Sequence, residues 1–139
     1  MNAPKELSYP RFCVAGNTIY FSGMGALGEN GKLVEGGFKE HVEQALRNIE
    51  AALADAKVTK AHIVRVAVKV VHISYQPVLE EAYAKFLDGY DDHPARTFDA
   101  GSQFPFGSLV EIEVTATYAP VRRERLIMDP DYENRIEQE

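Results

Sequence analysis

Residues 109–119 alternate Val110, Ile112, Val114, Ala116 and Tyr118 with Leu109, Glu111, Glu113, Thr115 and Thr117. A chain with this run must build a sheet that turns one face to a core and keeps the other face mixed. Residues 63–73 repeat the pattern, with Val64, Val66, Val68 and Val70 on one side and Arg65, Ala67, Lys69 and Val71 on the other. An apolar strand face needs a covering layer. The spacing of Phe38, Val42, Ala45, Leu46, Ile49, Ala52 and Leu53 predicts an amphipathic helix over 38–56. A second helix is predicted from Pro77, with Glu80 and Glu81 in its first turn and Val78, Leu79, Ala82, Tyr83, Phe86 and Leu87 on one face, stopping near Gly89.

Gly16-Asn17 separates the β-rich runs 11–15 and 18–22, the signal of a two-residue hairpin. Gly23, Gly25, Gly28, Gly31, Gly36 and Gly37 then mark a long loop, with a short strand expected at 32–34, and a further strand is expected at 95–100. The order β-β-(β)-α-β-α-β-β predicts an α/β (α+β) two-layer sandwich: one mostly antiparallel sheet with two helices on one face. Two helices leave the other face bare. With Leu109, Thr115, Thr117, Ala67 and Val71 beside charges, that face is too apolar to be wholly wet, and self-association in a closed ring is expected.

The 139 residues, 45% of them apolar and 26% charged, suit one globular domain, and the tail from residue 120 has no clean period. Against 15 Lys plus Arg stand 21 Asp plus Glu, giving net −6, and the one dense basic run, 122–125, contains Glu124. Partners with a phosphate backbone are therefore not expected. No stretch approaches the roughly 20 apolar residues of a membrane span, and a start with Lys5, Glu6 and Pro10 lacks a secretory signal, so a soluble protein is expected. The single cysteine, Cys13, forms no internal disulfide, which points to the cytoplasm. Its run Phe12-Cys13-Val14-Ala15 reads as a small buried hydrophobe.

Few motifs carry chemistry. Residues 23–28 match G-x-G-x-x-G, but Glu29-Asn30-Gly31 prolongs the loop where a helix should open and sets an acid where phosphate would sit. His41, His62, His72 and His93 have no ligand spacing, so no metal site is proposed, and Ser22-Gly23 lacks a nucleophile elbow. Arg96 enters one strand and Glu111 and Glu113 the next. On the residues alone these read as a surface ion pair of Arg96 with Asp91, Asp92 or Asp99 and a solvated strand face.

The same segments resemble the RidA/YjgF family of small trimeric enamine/imine deaminases. Residues 18–23, Thr-Ile-Tyr-Phe-Ser-Gly, are similar to its early strand, and Gln44-Ala45-Leu46-Arg47-Asn48-Ile49 to its first helix. Pro94-Ala95-Arg96 resembles its Pro-Ala-Arg signature, Phe104-Pro105 stands for its Leu-Pro, and Val110-Glu111-Ile112-Glu113 with Ala116 resembles its final strand. The resemblance runs from about Tyr9 to Ala119, which makes 1–119 one RidA-like domain and 120–139 a C-terminal extension. It implies a fold similar to bacillus-type chorismate mutase, a homotrimeric barrel of three sheets with clefts between subunits. It also implies hydrolysis of 2-aminoacrylate-type enamines and imines to 2-oxo acids and ammonia, without metal or organic cofactor.

By this resemblance Arg96 grips a substrate carboxylate, for which a planar five-donor fork is suited. Glu111 holds the attacking water or shuttles a proton, as a carboxylate near an imine can. Tyr9, Ser22 and the Gly23 backbone match residues of the cleft wall, and Glu113 shares the strand face of Glu111. Phe98 replaces a frequent cysteine, Met24 a frequent glutamine and Glu80 a frequent asparagine. Phe98 and Met24 make the implied pocket more apolar, and the three departures bear on the size and identity of the substrate, not on the roles of Arg96 and Glu111. Two other readings stand beside the enzyme: a small-carboxylate-binding or regulatory member of the family, and a ribonuclease, which net −6 opposes.

Overall fold

A computed structural model describes residues 8–124. Strands β1 (Phe12–Ala15) and β2 (Thr18–Phe21) are followed by helix α1 (Phe38–Asp55), β3 (Ile63–Val70), α2 (Gln76–Phe86), β4 (Ala95–Ala100) and β5 (Val110–Thr117). They form one five-stranded sheet in the order β1-β2-β5-β3-β4. Every pairing is antiparallel except β3 with β4, the pair joined through α2. The β1–β2 turn puts Gly16 at φ 58°, where glycine carries no Cβ penalty.

The core follows the alternation. Val110, Ile112, Val114 and Ala116 of β5 and Val66, Val68 and Val70 of β3 are buried beneath Val42, Ala45, Ile49, Ala52 and Leu53 of α1 and Leu79, Tyr83 and Phe86 of α2. Both helices therefore lie on one face. On the other, Tyr20 is 51% exposed in a row with Cys13 and Thr115.

Five expectations change. The two-residue period fails at the start of β3, where Ile63 pairs with Ala116 and Arg65 with Thr115; the extra residue is a bulge that removes Val64 from the core series. The run 32–34 is no strand, only a single bridge between Leu27 and Leu33. Leu109 packs against the core rather than on the bare face. Cys13 is exposed, because the short hairpin runs out to the sheet edge, where no helix covers it. Helix α2 begins one residue before Pro77, so Glu80 and Glu81 lie beyond its first turn.

Helix α1 is fixed at both ends. The Gly37 amide donates to Glu40 Oε2 at 3.0 Å, and the Glu40 backbone amide, followed by this bond, holds the Glu40 carboxyl below its ordinary pKa. At the other end the Lys57 amide donates to the Ala54 carbonyl and the Val58 amide to that of Leu53, the paired bonds of a Schellman motif. The motif needs a left-handed residue, and exposed Lys57, at φ 64°, supplies it without being glycine. Lys57→Gly should therefore raise stability by about 1 kcal/mol, read as a higher urea midpoint at unchanged slope.

Candidate functional site

Glu111 lies between two core residues of β5, so its carboxylate leaves the bare face. After β2 the chain runs through Ser22 and Gly23 to Met24, which exchanges two 2.9 Å backbone hydrogen bonds with Ile112. This bridge lays Gly23 against Glu111. A Cβ at residue 23 would stand 2.0 Å from Glu111 Oε1 and 2.8 Å from its Cδ, so glycine lets the carboxylate keep this orientation. Gly25 similarly makes room for Ser108 Oγ, which accepts from the Ala26 amide at 3.1 Å and donates to the Val110 carbonyl at 2.7 Å. The glycines of the G-x-G-x-x-G run thus serve close packing, and Gly28 lies in a turn ten residues before α1 begins.

Ser22 does not present a free hydroxyl. It donates to the Pro10 carbonyl at 2.6 Å, and its amide donates to the Arg11 carbonyl at 3.0 Å, which fastens the Tyr9 segment beside Gly23. Tyr9, Gly23, Phe104, Phe106 and Glu111 line a cavity of about 80 Å³. Tyr9, Ser22 and Gly23 also border a neighbouring groove of about 620 Å³ closed by Gln44, Arg47 and Asn48 of α1. Asn48 Nδ2 donates to the carbonyls of Gly25 at 2.9 Å and Leu27 at 2.8 Å, tying the glycine loop to the helix. Phe106 stands exposed at φ 66°, a left-handed conformation that is uncommon for an aromatic residue.

Arg96 lies elsewhere. Across the parallel β3–β4 ladder it pairs with Val66, and Phe98 with Val68. Both partners are core residues, so Arg96 and Phe98 project on the helix side of the sheet. There Arg96 Nη1 lies 2.7 Å from Glu80 Oε1, and its guanidinium sits 4.9 Å from the centre of the Tyr83 ring. Phe98 packs against the core margin. Burial raises the Tyr83 pKa, with the Arg96 charge opposing that shift and Glu80 adding to it.

Arg96 thus has a partner the sequence reading did not assign. Asp99 is in backbone register with Lys69 and projects from the opposite face, and the ion pair of Arg96 forms instead with Glu80 from α2. The i, i+3 spacing of Glu80 and Tyr83 on α2 was the available signal. Arg96 and Glu111 leave opposite faces of the sheet, two strands apart, so one copy of the chain does not bring them together. Glu113 is exposed on the same face as Glu111, opposite Ala67.

Among the described residues no three His, Cys, Asp or Glu side chains converge as a metal site. His62, His72 and His93 bond within three residues of themselves, and His41 Nδ1 accepts from the distant Leu109 amide at 3.1 Å.

An α+β sheet with two helices on one face, and a glycine loop closed over a strand carboxylate, define a class that comparison with known proteins identifies. A family described as Endoribonuclease L-PSP matches residues 1–118. The 2-iminobutanoate/2-iminopropanoate deaminase of Rattus norvegicus is 32% identical over 114 residues, 81% of this chain and 82% of the rat protein. A RutC family protein of Aquifex aeolicus is 35% identical over 99 residues, 70% of this chain and 78% of that one. The crystal structure of RidA from an Antarctic Psychrobacter aligns with a TM-score of 0.75 at 32% identity, over 83% of this chain and 93% of that one. The chain belongs to the RidA/YjgF family.

The fit of Gly23 against Glu111 is open to a double-mutant cycle. Gly23→Ala should cost about 1–3 kcal/mol, whereas Gly23→Ala in a Glu111→Ala background should cost under about 1 kcal/mol, because the clashing atoms are gone. Thermal unfolding of the four proteins measures the coupling.

Proposed function

We propose that this protein hydrolyses small 2-imino and 2-enamino acids to 2-oxo acids and ammonia, in clefts between copies of the chain. The observation that carries the reading is a family match that spans the segments of both Arg96 and Glu111, among relatives named 2-iminobutanoate/2-iminopropanoate deaminase. In it the Arg96 fork binds the substrate carboxylate and fixes the C=N bond. Glu111 takes a proton from water as the oxygen attacks the imine carbon. It returns that proton to nitrogen to give the carbinolamine, then carries the hydroxyl proton to the amine as the C–N bond breaks, leaving the 2-oxo acid and ammonia. Tyr9, the Gly23 backbone and Phe98 shape the cleft around the substrate side chain, and no metal or organic cofactor enters the scheme.

Since Arg96 and Glu111 leave opposite faces, the scheme needs Arg96 of one copy to face Glu111 of the next. A homotrimer whose bare sheet faces form a central barrel meets that need and covers Tyr20 and Thr115. Residues 1–119 form the catalytic domain in this proposal, with 120–139 as an extension that lies mostly outside the described residues. The setting is cytoplasmic, where exposed Cys13 stays reduced. No described helix is long and apolar enough to cross a membrane, and net −6 weighs against a nucleic-acid substrate.

One observation favours a second reading, a small-carboxylate-binding member without turnover: Glu80 already occupies part of the Arg96 fork. Imine hydrolysis and 2-oxo acid binding, measured on the same preparations, separate the two.

Three variants test the scheme. Arg96→Lys should fail nearly as badly as Arg96→Ala in both assays, because an ammonium cannot reproduce the planar fork; a wild-type lysine variant would remove Arg96 from the site. Glu111→Gln should lower turnover on the order of 100-fold, while Glu113→Gln leaves it within a few fold. Thr115→Arg sets a second cation opposite Arg65 on the bare face and should shift the protein towards monomer, with loss of activity, by sedimentation velocity.

A further inference from the structure

Glu80 stands where its charge must be reckoned with by anything that binds Arg96. The pair is close, at 2.7 Å, and only 23% of the Arg96 side chain is exposed, so the two charges act on each other through little water. Together they are neutral. A simple carboxylate arriving at Arg96 would gain the attraction of a cation and meet, a few ångströms away, the repulsion of an anion.

Three details show what the pair suits instead. Glu80 engages Nη1 alone, and the Nε–Nη2 edge of Arg96 makes no hydrogen bond among the described residues, which leaves one two-donor edge for a carboxylate. The Glu80 side chain is 43% exposed although its Oε1 is buried and makes no aligned hydrogen bond, so its remaining acceptor capacity faces outwards. The Tyr83 ring supports the guanidinium from below, while its own hydroxyl is buried without a hydrogen-bond partner in the field of both charges. An unmatched buried polar atom beside an ion pair marks a place where a partner from outside the chain fits.

We propose that Glu80 makes the Arg96 guanidinium selective for a ligand that carries a cationic nitrogen next to its carboxylate, and so for a protonated 2-imino acid over the 2-oxo acid it yields. The inference rests on the reading that Arg96 grips a carboxylate. In a protonated 2-imino acid the C=NH2⁺ carbon is bonded directly to the carboxyl carbon, so the cation and anion are spaced like the Arg96–Glu80 pair. The carboxylate takes the free guanidinium edge and the N–H groups turn to Glu80. Hydrolysis replaces that nitrogen with a carbonyl oxygen, which faces Glu80 as an acceptor against an acceptor. Substrate is held by two charges and product is repelled by one of them.

The test needs no turnover. Pyruvate stands for the product and alanine for the zwitterion, with 4-aminobutanoate as a zwitterion of remote charge, each titrated calorimetrically into the full chain. The wild-type protein should bind alanine about tenfold more tightly than pyruvate or 4-aminobutanoate, and Glu80→Gln should abolish the preference by tightening pyruvate and weakening alanine. Equal affinity for alanine and pyruvate in the wild type, or an unchanged ratio in Glu80→Gln, overturns the proposal. Loss of both ligands in Glu80→Gln does so too, since Glu80 would then only position Arg96. Binding of 4-aminobutanoate as tightly as alanine overturns the assignment to the neighbouring nitrogen. Arg96→Ala serves as the control for the underlying reading: if it leaves every affinity unchanged, the carboxylate site itself is misassigned. Absent imine hydrolysis with intact selectivity counts against the deaminase and leaves the charge discrimination standing.

Discussion

The two-residue alternation of β5 is the constraint from which the other features follow. The strand runs through the middle of the sheet, bonded to β2 and Met24 on one side and to β3 on the other. Its even-numbered residues are claimed by the core under two helices, which commits the odd-numbered ones, Glu111 among them, to the opposite face. A one-residue slip would bury two carboxylates and expose Val110, Ile112 and Val114, so the register is held by the hydrophobic term itself. The acid's position is thus a by-product of core formation and needs no separate device.

At Arg96 the governing term is electrostatic. An edge strand cannot cover its own side chains, and α2 supplies both an aromatic surface and an opposite charge to a guanidinium with little exposure. A lone cation so placed would lose hydration without return. The arrangement stabilises Arg96 in one orientation and also taxes any anion that binds it. Positioning and selectivity arise from the same contact.

Most of the fold was legible because its signals are local. The alternation at 109–119, the apolar face of 38–56 and the Gly16-Asn17 turn each require only neighbours in sequence, and each matches an observed element within a few residues. The misreadings at Val64 and Cys13 share a cause, since they depend on partners far along the chain. Val64 leaves the core because of how Ile63 and Arg65 pair with β5, and Cys13 is exposed because of where β1 sits in the strand order. The Arg96–Glu80 contact joins β4 to α2, sixteen residues apart, and the i, i+3 spacing of Glu80 and Tyr83 sets the two on one helix face without saying which strand residue they meet. The site residues were legible only as a resemblance; that Arg96 and Glu111 leave opposite faces follows from register and strand order together.

The contact between Gly23 and Glu111 has a meaning for the whole set of proteins built on this sheet. The space that a side chain at 23 would fill is already taken by the carboxylate, so the two positions divide one volume between them. Any relative of the same backbone with a larger residue at the position of Gly23 must hold a shorter residue, or a differently turned one, at the position of Glu111. The residue on the glycine loop therefore sets which way an acid on the strand opposite can turn, and glycine is what lets it lie in this place.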